Sequence, residues 1–74
     1  MKVDELRSAH RARPFRSFRL HLADGRQIAV THPENLMVSS DGRCAAVYVP
    51  GEGTETLDLP LVAALDFRRK RRAP

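Results

Sequence analysis

Between Phe18 and Val30 the chain alternates apolar and polar residues on either side of an Asp-Gly pair, and this leaves little choice of local structure. Phe18, Leu20 and Leu22 fall on one side of a period-two element; Ser17, Arg19 and His21 fall on the other, which predicts a half-buried strand. A two-residue loop would set Leu20 against Ala29. A three-residue loop, Ala23-Asp24-Gly25 with Gly25 left-handed, sets Leu22 against Arg26, Leu20 against Ile28 and Phe18 against Val30. That register keeps the apolar residues on one face and is the one expected.

The same reading extends along the chain. Residues 3–13 read as a short helix, with Asp4 and Glu5 in its first turn and Arg11 and Arg13 near its end, as the helix dipole prefers. Pro14 stops it, because the residue before proline avoids the α region. Thr31-His32-Pro33-Glu34 interrupts the second strand, which resumes at Leu36-Met37-Val38. Cys44 to Val49 is a third strand, apolar on both faces, with Ala45, Val47 and Val49 on one side and Cys44, Ala46 and Tyr48 on the other. Thr54 to Leu59 is a fourth, ended by Pro60. Leu61 to Ala63 allows one tight helical turn, and Leu65 to Phe67 is a fifth strand. The fold expected is mostly β: an N-terminal helix, then a five-stranded antiparallel, strongly bent sheet or small barrel over residues 1–67. Its core is assigned to Phe18, Leu20, Leu22, Ile28, Val30, Leu36, Val38, Val47, Leu57, Leu59 and Leu65. Arg68 to Arg72 form a like-charge block, read with Ala73 and Pro74 as a basic tail without structure of its own.

Composition narrows the classes of function. Seventy-four residues make one domain with little room for a deep catalytic cleft. A single cysteine, Cys44, forms no internal disulfide, so packing or self-association must hold the fold, and a cytoplasmic location is expected. No apolar run approaches the roughly 18 residues of a membrane span, and residues 1–20 show no apolar h-region of a secretory leader. The net charge of +4 conceals a division. Residues 1–19 carry Lys2, Arg7, Arg11, Arg13, Arg16 and Arg19 against Asp4 and Glu5. Residues 20–67 carry only Arg26 and Arg43 against seven carboxylates. The positive charge therefore sits at the two ends of an acidic middle.

The segments PFRSFRLHLADGR, THPE, VSSDGR and ETLDL resemble a group of short bacterial proteins sharing a PFRPFRLHLxDGR…HPE pattern, over most of residues 14–59. The resemblance groups sequences and implies no activity. The order of elements is similar to that of Sm-like and SH3-like small barrels; the Sm-like family implies rings that bind RNA. Leu57-Asp58-Leu59-Pro60 stands where the second Sm motif belongs, a departure from the family's nucleotide pocket.

No catalytic or metal site is expected. His10, His21 and His32 fall on a helix, a strand and a turn, and one cysteine completes no ligand set. Cys44 lies in an apolar run and reads as a small packed residue rather than a nucleophile. Asp24-Gly25-Arg26 and Asp41-Gly42-Arg43 read as hairpin turns, and His32-Pro33-Glu34 as a proline turn. The ends carry the signal for a partner. Pro14 to Arg19 interleaves basic and aromatic residues, with Phe15 free to stack on a base. Arg16, Arg19 and His21 on the first strand, with Arg68, Arg69, Lys70, Arg71 and Arg72 in the tail, are the candidate nucleic-acid contacts. The expected function is a small non-catalytic binding module, without cofactor, for RNA or another polyanion; the alternative is a protein-interaction or regulatory domain. Self-association into a homo-oligomer is expected through a strand edge or the outer face of residues 44–49, with Val47 and Val49 as the positions to probe.

Overall fold

The alternation at residues 18–30 becomes a hairpin with the expected register. In a computed structural model, which describes residues 2–67, β1 (Phe18–Leu22) pairs antiparallel with β2 (Gln27–Val30), Phe18 opposite Val30 and Leu20 opposite Ile28. Leu22 donates its N–H to the Arg26 carbonyl at 2.8 Å, and Gly25 takes φ 94°, the left-handed residue that the three-residue loop requires.

The second strand does not resume beyond Pro33. A 3-10 turn at Pro33–Asn35 separates β2 from β3 (Leu36–Val38), and the two join different sheets. Proline lacks a ladder donor and has a fixed φ, so the chain leaves one sheet there and enters another. A second 3-10 turn, Leu59–Leu61 around Pro60, lies between β5 (Gly53–Asp58) and β6 (Val62–Phe67). Among the described residues the expected five-stranded sheet is thus corrected to six strands in two three-stranded antiparallel sheets, ordered β2-β1-β6 and β3-β4-β5, with β4 spanning Cys44–Val49. The sheets do not close into a barrel. The expected tight turn at Leu61 to Ala63 lies two residues earlier, and the last strand starts three residues earlier, at Val62.

The facing sides of the two sheets and Leu59 of the second 3-10 turn make the core: Phe18, Leu20, Val30, Val47, Leu59 and Val62 are all but fully buried, with Leu22, Ile28, Leu36, Ala45 and Leu57 around them. Val38 and Leu65, assigned to the core from the pattern, are half-buried at its rim. Leu6 and Ala9, which the i, i+3 spacing places on an apolar stripe with Val3 but which the expected core left out, are inserted into the core by α1 (Val3–Arg11); Ala45 and Val62 join it as well. Helix α1 ends at Arg11, two residues short of expectation, because Ala12 is already extended at ψ 140° ahead of Arg13-Pro14. Nine residues are too few for an isolated helix in water, so Leu6 and Ala9 tether it.

The two faces of β4 separate cleanly. Ala45 and Val47 point inward and Val49 packs half-buried against the core, so Val47 and Val49 do not probe an outer surface. The outward face carries Cys44, Ala46 and Tyr48, flanked by Met37 opposite Ala46 on β3. Cys44 is half-buried there rather than a core residue. The expected tail, Arg68 to Arg72 with Ala73 and Pro74, lies outside the described residues. Among those described, no helix is long and apolar enough to cross a membrane.

Candidate anion-binding groove

The arginine and histidine singled out on β1 are brought together, and one carboxylate takes both. β6 pairs with β1 so that Arg19 stands opposite Asp66. Arg19 Nε donates to Asp66 Oδ1 at 3.3 Å, and His21 Nε2 donates to Asp66 Oδ2 at 2.9 Å. The His21 hydrogen bond, with the nearby Arg19 charge, holds the Asp66 carboxyl below its ordinary value of 3.8. This side of the sheet is locally compensated, which weakens it as a phosphate site. Arg16 lies with its guanidinium over the Phe67 ring, 4.6 Å from the centroid. Phe15 is not free to stack: it is half-buried against the core, its ring 5.8 Å from that of Phe18. The tail positions Arg68, Arg69, Lys70, Arg71 and Arg72 lie outside the described residues.

The turns account for the remaining motifs. Arg26 N–H donates to Asp24 Oδ1 and Arg43 N–H to Asp41 Oδ1, both at 3.0 Å, the side-chain-to-backbone bond that makes Asp-Gly a turn former. Asp24 is held low by that backbone bond first. Asp41 is held low first by the Ser39 hydroxyl, which donates to it at 2.6 Å, and then by Arg43 N–H. His32-Pro33-Glu34 opens the 3-10 turn, with His32 and Glu34 exposed. Among the described residues no group of three or more His, Cys, Asp or Glu side chains could hold a metal ion.

A different basic surface emerges from the way α1 lies beside β3. Leu6 and Ala9 face the core, so Arg7, His10 and Arg11 turn toward β3 and its flanking turns. Arg7 Nη2 donates to the Ser39 carbonyl at 3.2 Å and the Ser40 carbonyl at 3.4 Å; His10 Nε2 donates to the Pro33 carbonyl at 2.7 Å. These bonds fix both ends of a groove of 870 Å³ between the helix and the strand. Arg7, His10, Arg11 and Arg13, with Ser39 and Ser40, supply its polar lining; Phe15, Leu36, Met37 and Val38 supply much of its apolar lining; among the described residues no carboxylate lines it. Arg11 and Arg13 are exposed, and neither forms an ion pair among the described residues. Met37 is 72% exposed.

From the sequence, Arg11 and Arg13 read as helix-end charges and Arg7 takes no role. The i, i+4 spacing of Arg7 and Arg11 places them on one helix face, which is the signal that could have found the groove. Comparison with protein families, curated proteins and solved structures returns no match to this chain.

Proposed function

We propose that the protein is a small non-catalytic binding module whose site is the groove between α1 and β3 and whose ligand is anionic. One observation carries the reading: a groove of 870 Å³ lined by three arginines and a histidine and, among the described residues, by no carboxylate, in a domain otherwise rich in acidic residues. Cationic, low-dielectric walls concentrate field and favour an anionic partner. The non-catalytic part is supported by how the candidate groups are used. The Ser39 hydroxyl is engaged in a turn, and His10 and His21 spend Nε2 on a carbonyl and a carboxylate.

The test is binding of a panel of anionic probes (polyglutamate, a single-stranded oligonucleotide, anionic vesicles) at several salt concentrations. The wild-type chain is compared with Arg11→Gln/Arg13→Gln, and with Arg43→Gln as an arginine outside the groove. Binding that weakens with salt and in the double variant, but not in the control, supports the reading. Equal binding by the double variant overturns it.

A second reading is favoured by the run Arg68 to Arg72 in the sequence. RNA or another polyanion would be held there by counterion release, with little dependence on the folded surface. A chain ending at Phe67 distinguishes the two: it keeps groove binding and loses tail binding.

A further inference from the structure

Resting on the groove reading, we infer that its occupant is an acidic protein segment carrying a large aliphatic side chain among its carboxylates, rather than a nucleic acid. The groove is amphipathic. Arg11 and Arg13 offer unpaired guanidiniums, and the Met37 side chain stands 72% exposed beside half-buried Phe15 and Val38.

A single-stranded nucleic acid binds such a cleft by laying bases on aromatic rings while cations track the phosphates. Among the described residues the groove presents no freely exposed ring for that purpose. Phe15, the ring that lines it, is half-buried and packs on Phe18 at 5.8 Å between centroids; Phe67, 38% exposed with Arg16 4.6 Å from its centroid, does not line the groove. Tyr48 lies on the outward face of β4 and does not line the groove. What the groove does present is a methionine, an unbranched and adaptable side chain suited to packing against an aliphatic partner. The arginines match carboxylates, whose two oxygens a guanidinium receives in a fork.

The geometry also assigns separate roles along the groove. Arg7 and His10 are engaged with the Ser39, Ser40 and Pro33 carbonyls and hold the helix at its distance from β3. Arg11 and Arg13 are the groups available to carboxylates. Met37 is the apolar anchor.

The experiment uses the full chain and three fluorescent probes: a short peptide mixing glutamate and leucine, the same peptide with serine for leucine, and a single-stranded oligonucleotide. The glutamate–leucine peptide is expected to bind most tightly. Serine for leucine, or Met37→Ser in the protein, should each weaken it about five- to tenfold, the factor expected from burying part of one aliphatic side chain. Arg11→Gln/Arg13→Gln should weaken it roughly tenfold or more. Met37→Ser should leave oligonucleotide binding unchanged. Because Arg11, Arg13 and Met37 are exposed, each variant should give the circular dichroism spectrum of wild type, and the serine peptide tests the apolar subsite without altering the protein at all. If the oligonucleotide binds as tightly as the peptide, through Arg11 and Arg13 and without regard to Met37, the peptide inference fails and the groove reading stands. If no probe depends on Arg11 and Arg13, both fall.

Discussion

Replacing Leu6 with alanine tests whether α1 belongs to the domain or merely rests on it. Leu6 is fully buried, and apart from Ala9 it is the only core residue the helix supplies. Leucine-to-alanine changes at such sites cost about 2–5 kcal/mol, as transfer loss plus the cavity left behind. A domain of this length has a total stability of roughly 4–11 kcal/mol, so one substitution removes a large share of it. The helix cannot compensate, because nine residues do not hold together alone in water. With an m-value of about 1–3 kcal/mol/M, the urea midpoint should fall by roughly 0.7–5 M. Two probes locate the damage: far-ultraviolet circular dichroism follows the helix, and Tyr48 fluorescence follows β4. Arg7, His10 and Arg11 ride on the same helix, so anionic-probe binding should fall with it even where the β sheets remain folded. A loss below about 1 kcal/mol, with binding intact, would refute the claim that Leu6 tethers the helix and thereby builds the groove.

Gly42→Ala should destabilise more than Gly25→Ala in chemical denaturation. Both have positive φ, but a Cβ at Gly42 would meet Val3 Cγ1 at 3.2 Å and Cγ2 at 3.3 Å, whereas one at Gly25 meets open space; equal losses would count against the Val3 contact. Asp66 is held below its ordinary value of 3.8, so its contribution to stability is complete above about pH 4 and is lost as the pH falls through the lower folded value. Asp66→Asn should therefore show a shallower loss of stability on acidification than wild type, read from urea midpoints across that range. Val47→Lys places a charge at a fully buried position and should prevent folding, whereas Tyr48→Lys, on the outward face at 49% exposure, should not. If copies of the chain associate through that face, sedimentation of Tyr48→Lys will show a smaller species than wild type. Removing residues 68–74 should flatten the salt dependence of oligonucleotide binding, by about 0.7 in log–log slope for each phosphate the tail no longer neutralises; an unchanged slope would assign the binding to the folded surface.

The β1–β2 hairpin was legible in the sequence because every determinant is local. The alternation selects a face, Gly25 tolerates the left-handed turn, and one register keeps Phe18, Leu20, Ile28 and Val30 together. Turn chemistry at Asp24-Gly25 and Asp41-Gly42 was legible for the same reason, since the stabilising hydrogen bonds span two residues. Local pattern could not say that Pro33 divides β2 from β3 between two sheets. A strand interrupted by a turn reads alike whether it rejoins its old partner or finds a new one, and only the packing of β3 on β4 decides. The functional surface was hidden more deeply. Arg19 and His21 looked available until β6 brought Asp66 beside them from 45 or more positions away. Arg11 and Arg13 looked like helix-end charges until α1 came to lie along β3, through bonds such as Arg7 to Ser39 across 32 positions. A charge pattern shows how much charge a segment carries. Whether that charge is neutralised or left open in a groove depends on neighbours that only the tertiary fold supplies.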